Sequence, residues 1–199
     1  MHYQMLSAFT WPTSKWNELL QTTNYPTGHS VLGGYMALRP KDADALEYER
    51  LLAQHVGEKR KEEILSVNIH HVVYYPVLSV QSPLQQLRAL RPISVDQTLS
   101  EIWHFRLKGA PEAIYRRALW YYNLVNSPAT MVNADDLENW NRIQCSLKSE
   151  VPEWVSFHRN HGGDIVEGEV IRSREGLSEA PLRNQFRAWK KYMTAEDSA

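Results

Sequence analysis

The stretch Asp135-Asp136-Leu137-Glu138-Asn139-Trp140-Asn141-Arg142-Ile143-Gln144 holds the residues best suited to chemistry. Wound as a helix at about 100° per residue, it places Asp136, Leu137, Trp140, Ile143, Gln144 and Leu147 on one side. Asp135, Glu138, Asn141, Arg142, Cys145 and Lys148 lie on or towards the other. Asp136 therefore shares a largely apolar stripe, and a carboxylate there is costly to bury unless a cation, a metal or strong donors meet it. A plainer reading stays open: either aspartate could accept backbone N–H groups at a helix start, where negative charge is favoured. Capping accounts well for Asp135. It accounts less well for Asp136 beside Trp140 and Gln144.

The histidines are the other candidates. His70 and His71 are neighbours in a strand-like segment and so point to opposite faces, which argues against a shared metal. His71 goes with Val67, Ile69 and Val73, taken as the inner face. His158 and His161 fall in a Gly-rich segment without a Cys or acidic partner at a metal-site spacing. His2, His29 and His55 are scattered, and no two histidines have the spacing of a ligand pair on one helix. Asn126, Met131 and Val132 precede the aspartates and suit either packing or the lining of a pocket.

These residues need a scaffold, and the composition supplies one. The 199 residues are 43% hydrophobic, with seven Trp and ten Tyr, enough for one packed domain. A net charge of −1 carries no footprint for nucleic acid. No apolar run reaches the roughly 20 residues that span a bilayer, and Met1–Trp11 lacks the pattern of a secretory leader. The single cysteine, Cys145, leaves no internal disulfide and suits a cytoplasmic setting. It also excludes a Rieske cluster held by this chain, which takes two Cys and two His.

Along the chain, the first 40 residues read as loop with a short helix near Trp16–Leu20. The pattern of Leu46, Leu52 and Val56, with Asp42 before it and Gly57 after it, predicts a helix over Asp42–Val56. The charged run Glu58–Glu63 reads as a solvated turn. Leu65–Tyr75, Leu78–Leu90 and Thr98–Leu107 are strand candidates, with Pro92–Gln97 as a hairpin-like connection. Pro111 suits a first helical position, and Ile114, Ala118, Tyr121, Tyr122 and Val125 form a stripe behind it. Trp120, Tyr121 and Tyr122 read as core. A helix over Ala134–Ser149, short strands or loops over Val151–Glu175, and a last helix with the stripe Leu182, Phe186, Trp189 and Met193 complete the chain. The expected class is α+β, an antiparallel sheet with helices packed on one face.

Asp-Asp-x-Glu-Asn-Trp-x-x-Ile-Gln resembles the motif of the large (α) subunits of Rieske-type ring-hydroxylating oxygenases. Ser178-Glu179-x-x-x-Arg183-x-x-Phe186-x-x-Trp189 is similar to that family's final helix. The strand pair around Tyr75-Pro76 and the Ile102-Trp103-His104-Phe105 strand agree with it. The resemblance covers Leu65 to Met193, the C-terminal catalytic domain; residues 1–64 are placed only loosely, within a single domain over 1–199.

The resemblance implies that Asp136 is the carboxylate of a 2-His-1-carboxylate mononuclear Fe(II) site. It implies that His71, Asn126, Met131 and Val132 line the substrate side. His71 there could meet the acidic group of a benzoate-like ring. The implied activity is that of an aromatic-ring dioxygenase, with a [2Fe–2S] cluster on an adjacent subunit, a reductase or ferredoxin, and homo- or hetero-oligomers with a small subunit. The family's Asp-x-x-His-x-x-x-x-His pattern and its Rieske motifs are missing here. The chain is accordingly expected to be a fragment or degenerate relative, inactive alone. Two other readings stand beside this one. In a non-catalytic helix-grip module for hydrophobic ligands, Asp136 would only cap a helix. The family's iron-free small subunit lacks the Asp-Asp motif.

Overall fold

The computed structural model describes residues 20–34, 42–66, 69–149 and 153–195. Inside the stretch expected to be loop, β1 (Leu20–Asn24) and β2 (Ser30–Gly34) form a hairpin. Leu20 thus begins a strand; the rest of the expected helix near Trp16, like His2, lies outside the described residues. The hairpin turn uses Gly28 at φ +85°, a conformation that side chains disfavour.

The first helix, α1 (Ala43–Val56), starts as expected, with the Asp42 carboxylate accepting the Ala45 N–H at 3.1 Å. The charged run after it is not a turn but a second helix, α2 (Glu58–Ser66). Glu, Lys and Arg are good helix formers, and Lys61–Glu58 and Arg60–Glu63 pair one turn apart on its surface.

Four strands follow: β3 (Ile69–Tyr74), β4 (Leu78–Gln81), β5 (Gln86–Ser94) and β6 (Gln97–His104). The expected single strand over Leu78–Leu90 is two strands, broken by a 3₁₀ turn at Ser82-Pro83-Leu84. Pro83 has no N–H for a ladder, and Gln85 takes a left-handed φ of 46°, so the chain reverses. The expected connection Pro92–Gln97 narrows to a turn at Val95-Asp96. Then come α3 (Glu112–Val125), α4 (Met131–Leu147), β7 (Ile165–Glu167), β8 (Val170–Ser173) and α5 (Ala180–Thr194).

Among the described residues, eight strands pair antiparallel in the order β6-β5-β4-β3-β2-β1-β8-β7. The fold is α+β, as expected. Residues directly opposed across a ladder share a face, and the register traces one row across the sheet: Ser173, Thr22, Leu32, His71, Gln81, Gln86, His104. A second row on that face runs Asn24, Ser30, Val73, Ser79, Arg88, Ile102. This is the inner face: α3 reaches it through Asn126 and Tyr122, and α4 through Trp140. Its deepest members are polar, with Gln86 fully enclosed and Asn24, Thr22 and Ser173 nearly so. The opposite face carries the row Thr23, Val31, Val72, Val80, Leu87, Trp103, and Trp103 is 63% exposed.

The C-terminal helix, α5, lies against β1 and β8. Its buried residues are Ala180, Arg183, Asn184 and Ala188, while Leu182, Phe186, Trp189 and Met193 are exposed. The small Ala188 lets the helix approach Gly28 closely, and the Asn184 amide donates to the Tyr25 carbonyl in the same turn. Trp120, expected in the core, is exposed on α3, while Tyr121 and Tyr122 are half-buried.

Candidate active site

Helix α4 begins at Met131, with Thr130 at its cap, earlier than the expected Ala134. Asp135 and Asp136 therefore sit beyond the first turn, which contains no acidic residue. Backbone N–H groups at that depth are already bonded within the helix, so N-capping does not account for either aspartate. Both are half-buried. Only the start of α4 is well covered, through Val132 and Asn133; Leu137, Trp140, Ile143 and Leu147 of the expected inward stripe are exposed.

The residue that meets α4 from the sheet is Arg88. Its guanidinium carbon lies 6.0 Å from the centre of the Trp140 ring, within the range of a cation–π contact. Burial pushes this guanidinium below its ordinary range, while Tyr122 and the Asp136 carboxylate act in the opposite sense. Asp136 and Trp140 thus both act on Arg88, on the inner face of β5.

One row away, Asn126 at the end of α3 joins two strands. Its amide donates to Gln81 Oε1 at 2.9 Å and, more weakly, to Gln86 Oε1 at 3.4 Å. His71 stands opposite Gln81 in the β3–β4 ladder, on the same sheet face as the glutamine to which Asn126 donates. His104 packs edge-on against Tyr122 at 4.4 Å, and its Nδ1 lies 3.3 Å from the Leu84 carbonyl oxygen. Val132 is buried beneath the start of α4. The Met131 side chain lies outside the described residues.

The structure therefore brings Asp136, His71 and Asn126 to one polar inner face and adds Gln81, Gln86, Arg88 and His104. Sequence reasoning had passed over Arg88. Its signal was weak: an arginine at the same strand parity as Gln86, in a segment whose break at Pro83 hid the register. His158 and His161 are exposed, in a loop where the His158 ring bonds Ser156 and Asn160 donates to Ser173 at 2.7 Å.

No family model matches the chain. Among curated proteins, the large subunit of a 2-halobenzoate 1,2-dioxygenase from Burkholderia cepacia is 26% identical over 167 residues, 83% of this chain and 35% of that protein. A solved naphthalene 1,2-dioxygenase with indole bound in its active site superposes with a TM-score of 0.69 at 16% identity, over 90% of this chain and 43% of that one. The corresponding enzyme from Rhodococcus sp., also bound to indole, gives 0.70 at 17% identity, over 98% and 50%. This chain resembles the catalytic part of an aromatic-ring dioxygenase large subunit. The solved structures share its fold; the curated relative shares its sequence over most of this chain, which spans about a third of that relative's length.

Proposed function

We propose that this chain supplies the catalytic-domain portion of a ring-hydroxylating oxygenase large subunit, which uses mononuclear non-haem Fe(II) and dioxygen to hydroxylate an aromatic ring. The observation that carries this reading is the place of Asp136. It is half-buried, beyond the capping turn of α4, and its charge acts on Arg88 on the inner face of a dioxygenase-like sheet.

On this reading Asp136 is the carboxylate ligand of the iron. Among the described residues no group of three His, Cys, Asp or Glu is arranged to hold a metal. A facial triad needs two imidazoles besides the carboxylate. They would come from outside the described residues or from further polypeptide, and no reaction step is drawn through iron here. When bound, the iron supplies the activation of dioxygen. The chain's own contribution is positional: Asn126 ties the end of α3 to Gln81 and Gln86, and this reading assigns His71, Asn126, Met131 and Val132 to the substrate side. Electrons would enter from a [2Fe–2S] cluster on an adjoining polypeptide, fed by a reductase or ferredoxin, in a cytoplasmic homo- or hetero-oligomer with a small subunit.

One carboxylate holds Fe(II) weakly, so the 199-residue chain alone should lack oxygenase activity. Elemental analysis of the purified chain should find far less than one iron per chain. Co-expression with a polypeptide carrying the cluster and the histidine pair, plus a reductase, should yield hydroxylated arene, and Asp136→Asn should abolish it. Equal product from the two proteins would remove the basis of the proposal. The polarity of the inner face, where Gln81, Gln86 and Arg88 sit, disfavours the alternative of a module for hydrophobic ligands.

A further inference from the structure

We infer that Arg88 is the receptor for the carboxylate of an aromatic acid, with Trp140 as the wall along which the ring lies. Arg88 projects from the inner face of β5 and is half-buried. It enters no ion pair with a described residue, and its Nε–H is buried without a hydrogen-bond partner. Arg91, on the same strand but the opposite face, shows the contrast: it is exposed and paired with Glu101.

A guanidinium cannot shed its charge, and Asp136 acts on this one without any described carboxylate being hydrogen-bonded to it, so its half-burial is only partly compensated. Such a group persists where function requires it. The planar fork of Arg matches a carboxylate in two parallel hydrogen bonds. The indole of Trp140 beside it, 46% exposed and within reach of an incoming molecule, offers a flat apolar surface for the attached ring. Charge bookkeeping on this face agrees. Asp136 brings negative charge towards this face, which would repel a second anion, and Arg88 is a described cation on which that charge acts. A neutral arene would leave Arg88 unmatched, which makes the group a selectivity device. The inference rests on the oxygenase reading for the ring and on Arg88 alone for the charge.

The test is the binding of benzoate and of its neutral analogue methyl benzoate to the 199-residue chain, followed by titration calorimetry at neutral pH and low salt. Benzoate should bind about tenfold more tightly or better. Arg88→Met should erase that preference while leaving methyl benzoate affinity unchanged, and Arg91→Met, on the opposite face, should alter neither. Circular dichroism checks that each variant folds. If Arg88→Met does not fold, the wild-type preference and its weakening in 0.5 M salt carry the test. Equal affinity of the wild type for both compounds, or loss of the preference in Arg91→Met, would overturn the receptor while leaving an arene site standing. Binding of neither compound would overturn both this inference and the function it rests on.

Discussion

Arg183 donates from Nη2 to Asp164 Oδ2 at 2.6 Å, and the two side chains are only 9% and 16% exposed. The same guanidinium donates through Nη1 to the carbonyls of Phe157 and Arg159 at 2.9 and 3.0 Å. One side chain on α5 thus fastens the loop over residues 157–164. The neighbours of Arg183 serve the same clamp. The Ala180 N–H donates to Ser178 Oγ, the Glu179 carboxylate accepts the Arg159 N–H, and Phe186 stacks on Phe157 at 5.1 Å. The C-terminal pattern Ser178-Glu179…Arg183…Phe186 is therefore structural.

Arg183→Met should leave Asp164 shielded and without its cation. Breaking one side of a buried pair typically costs about 3–5 kcal/mol, so urea unfolding should show a loss of that order. A loss under about 1 kcal/mol would mean that water replaces the pair readily.

Asn126 holds the polar row together from α3. Asn126→Leu should strip the partner from the half-buried Gln81 Oε1 and from Gln86 Oε1, which is buried, at a cost of about 1–3 kcal/mol. Adding Gln86→Leu should then cost less than it does in the wild type, because residues of one network are not additive. A double-mutant cycle by chemical denaturation reads the difference; strict additivity would show that the two amides act independently.

Gly28 permits the approach of α5 to the β1–β2 turn. A Cβ at that position would lie 2.8 Å from the Ala188 Cβ and from the Tyr75 ring, on a backbone at φ +85°. Gly28→Ala should destabilise by about 1–3 kcal/mol, a drop in Tm of roughly 2–4 °C per kcal/mol for a chain of this size. An unchanged Tm would place the hairpin turn further from the helix.

Two exposed carboxylates predict a share of the pH response. Asp42 is held below its ordinary value first by the Arg117 guanidinium and then by the Ala45 N–H. Asp96 is held down first by Lys148 and then by Ser94. Each proton binds more tightly to the unfolded chain, so the stabilisation is present above the ordinary carboxylate value near pH 4 and is lost as pH falls through the lower folded value. Asp42→Asn and Asp96→Asn should each flatten the fall in stability between about pH 4.5 and 3, and added salt should shrink the difference. Thermal melts across that range would show it; parallel curves for wild type and variants would remove both pairs from the account.

Legibility from sequence was uneven, for physical reasons. The first helix announced itself through local chemistry, Asp42 before it and Gly57 after it. The strands β1 and β2 did not, because their stability comes from partners in β3 and β8 far along the chain, and short polar strands such as Leu20–Asn24 carry little pattern of their own. The charged α2 was misjudged because charge signals exposure, and an exposed segment can still be helical.

What the sequence by itself determined was the likeness to dioxygenase large subunits, the α+β class, the existence of α1, α3, α4 and α5, and the candidacy of Asp136. Periodicity says which residues share a face. It does not say which face another element will cover. That was left to the tertiary structure, which turned Ala180, Arg183, Asn184 and Ala188 inward in place of the apolar stripe of α5. It also set Arg88 against Trp140 and Asp136 through a strand register that forms only when β4, β5 and β6 pair.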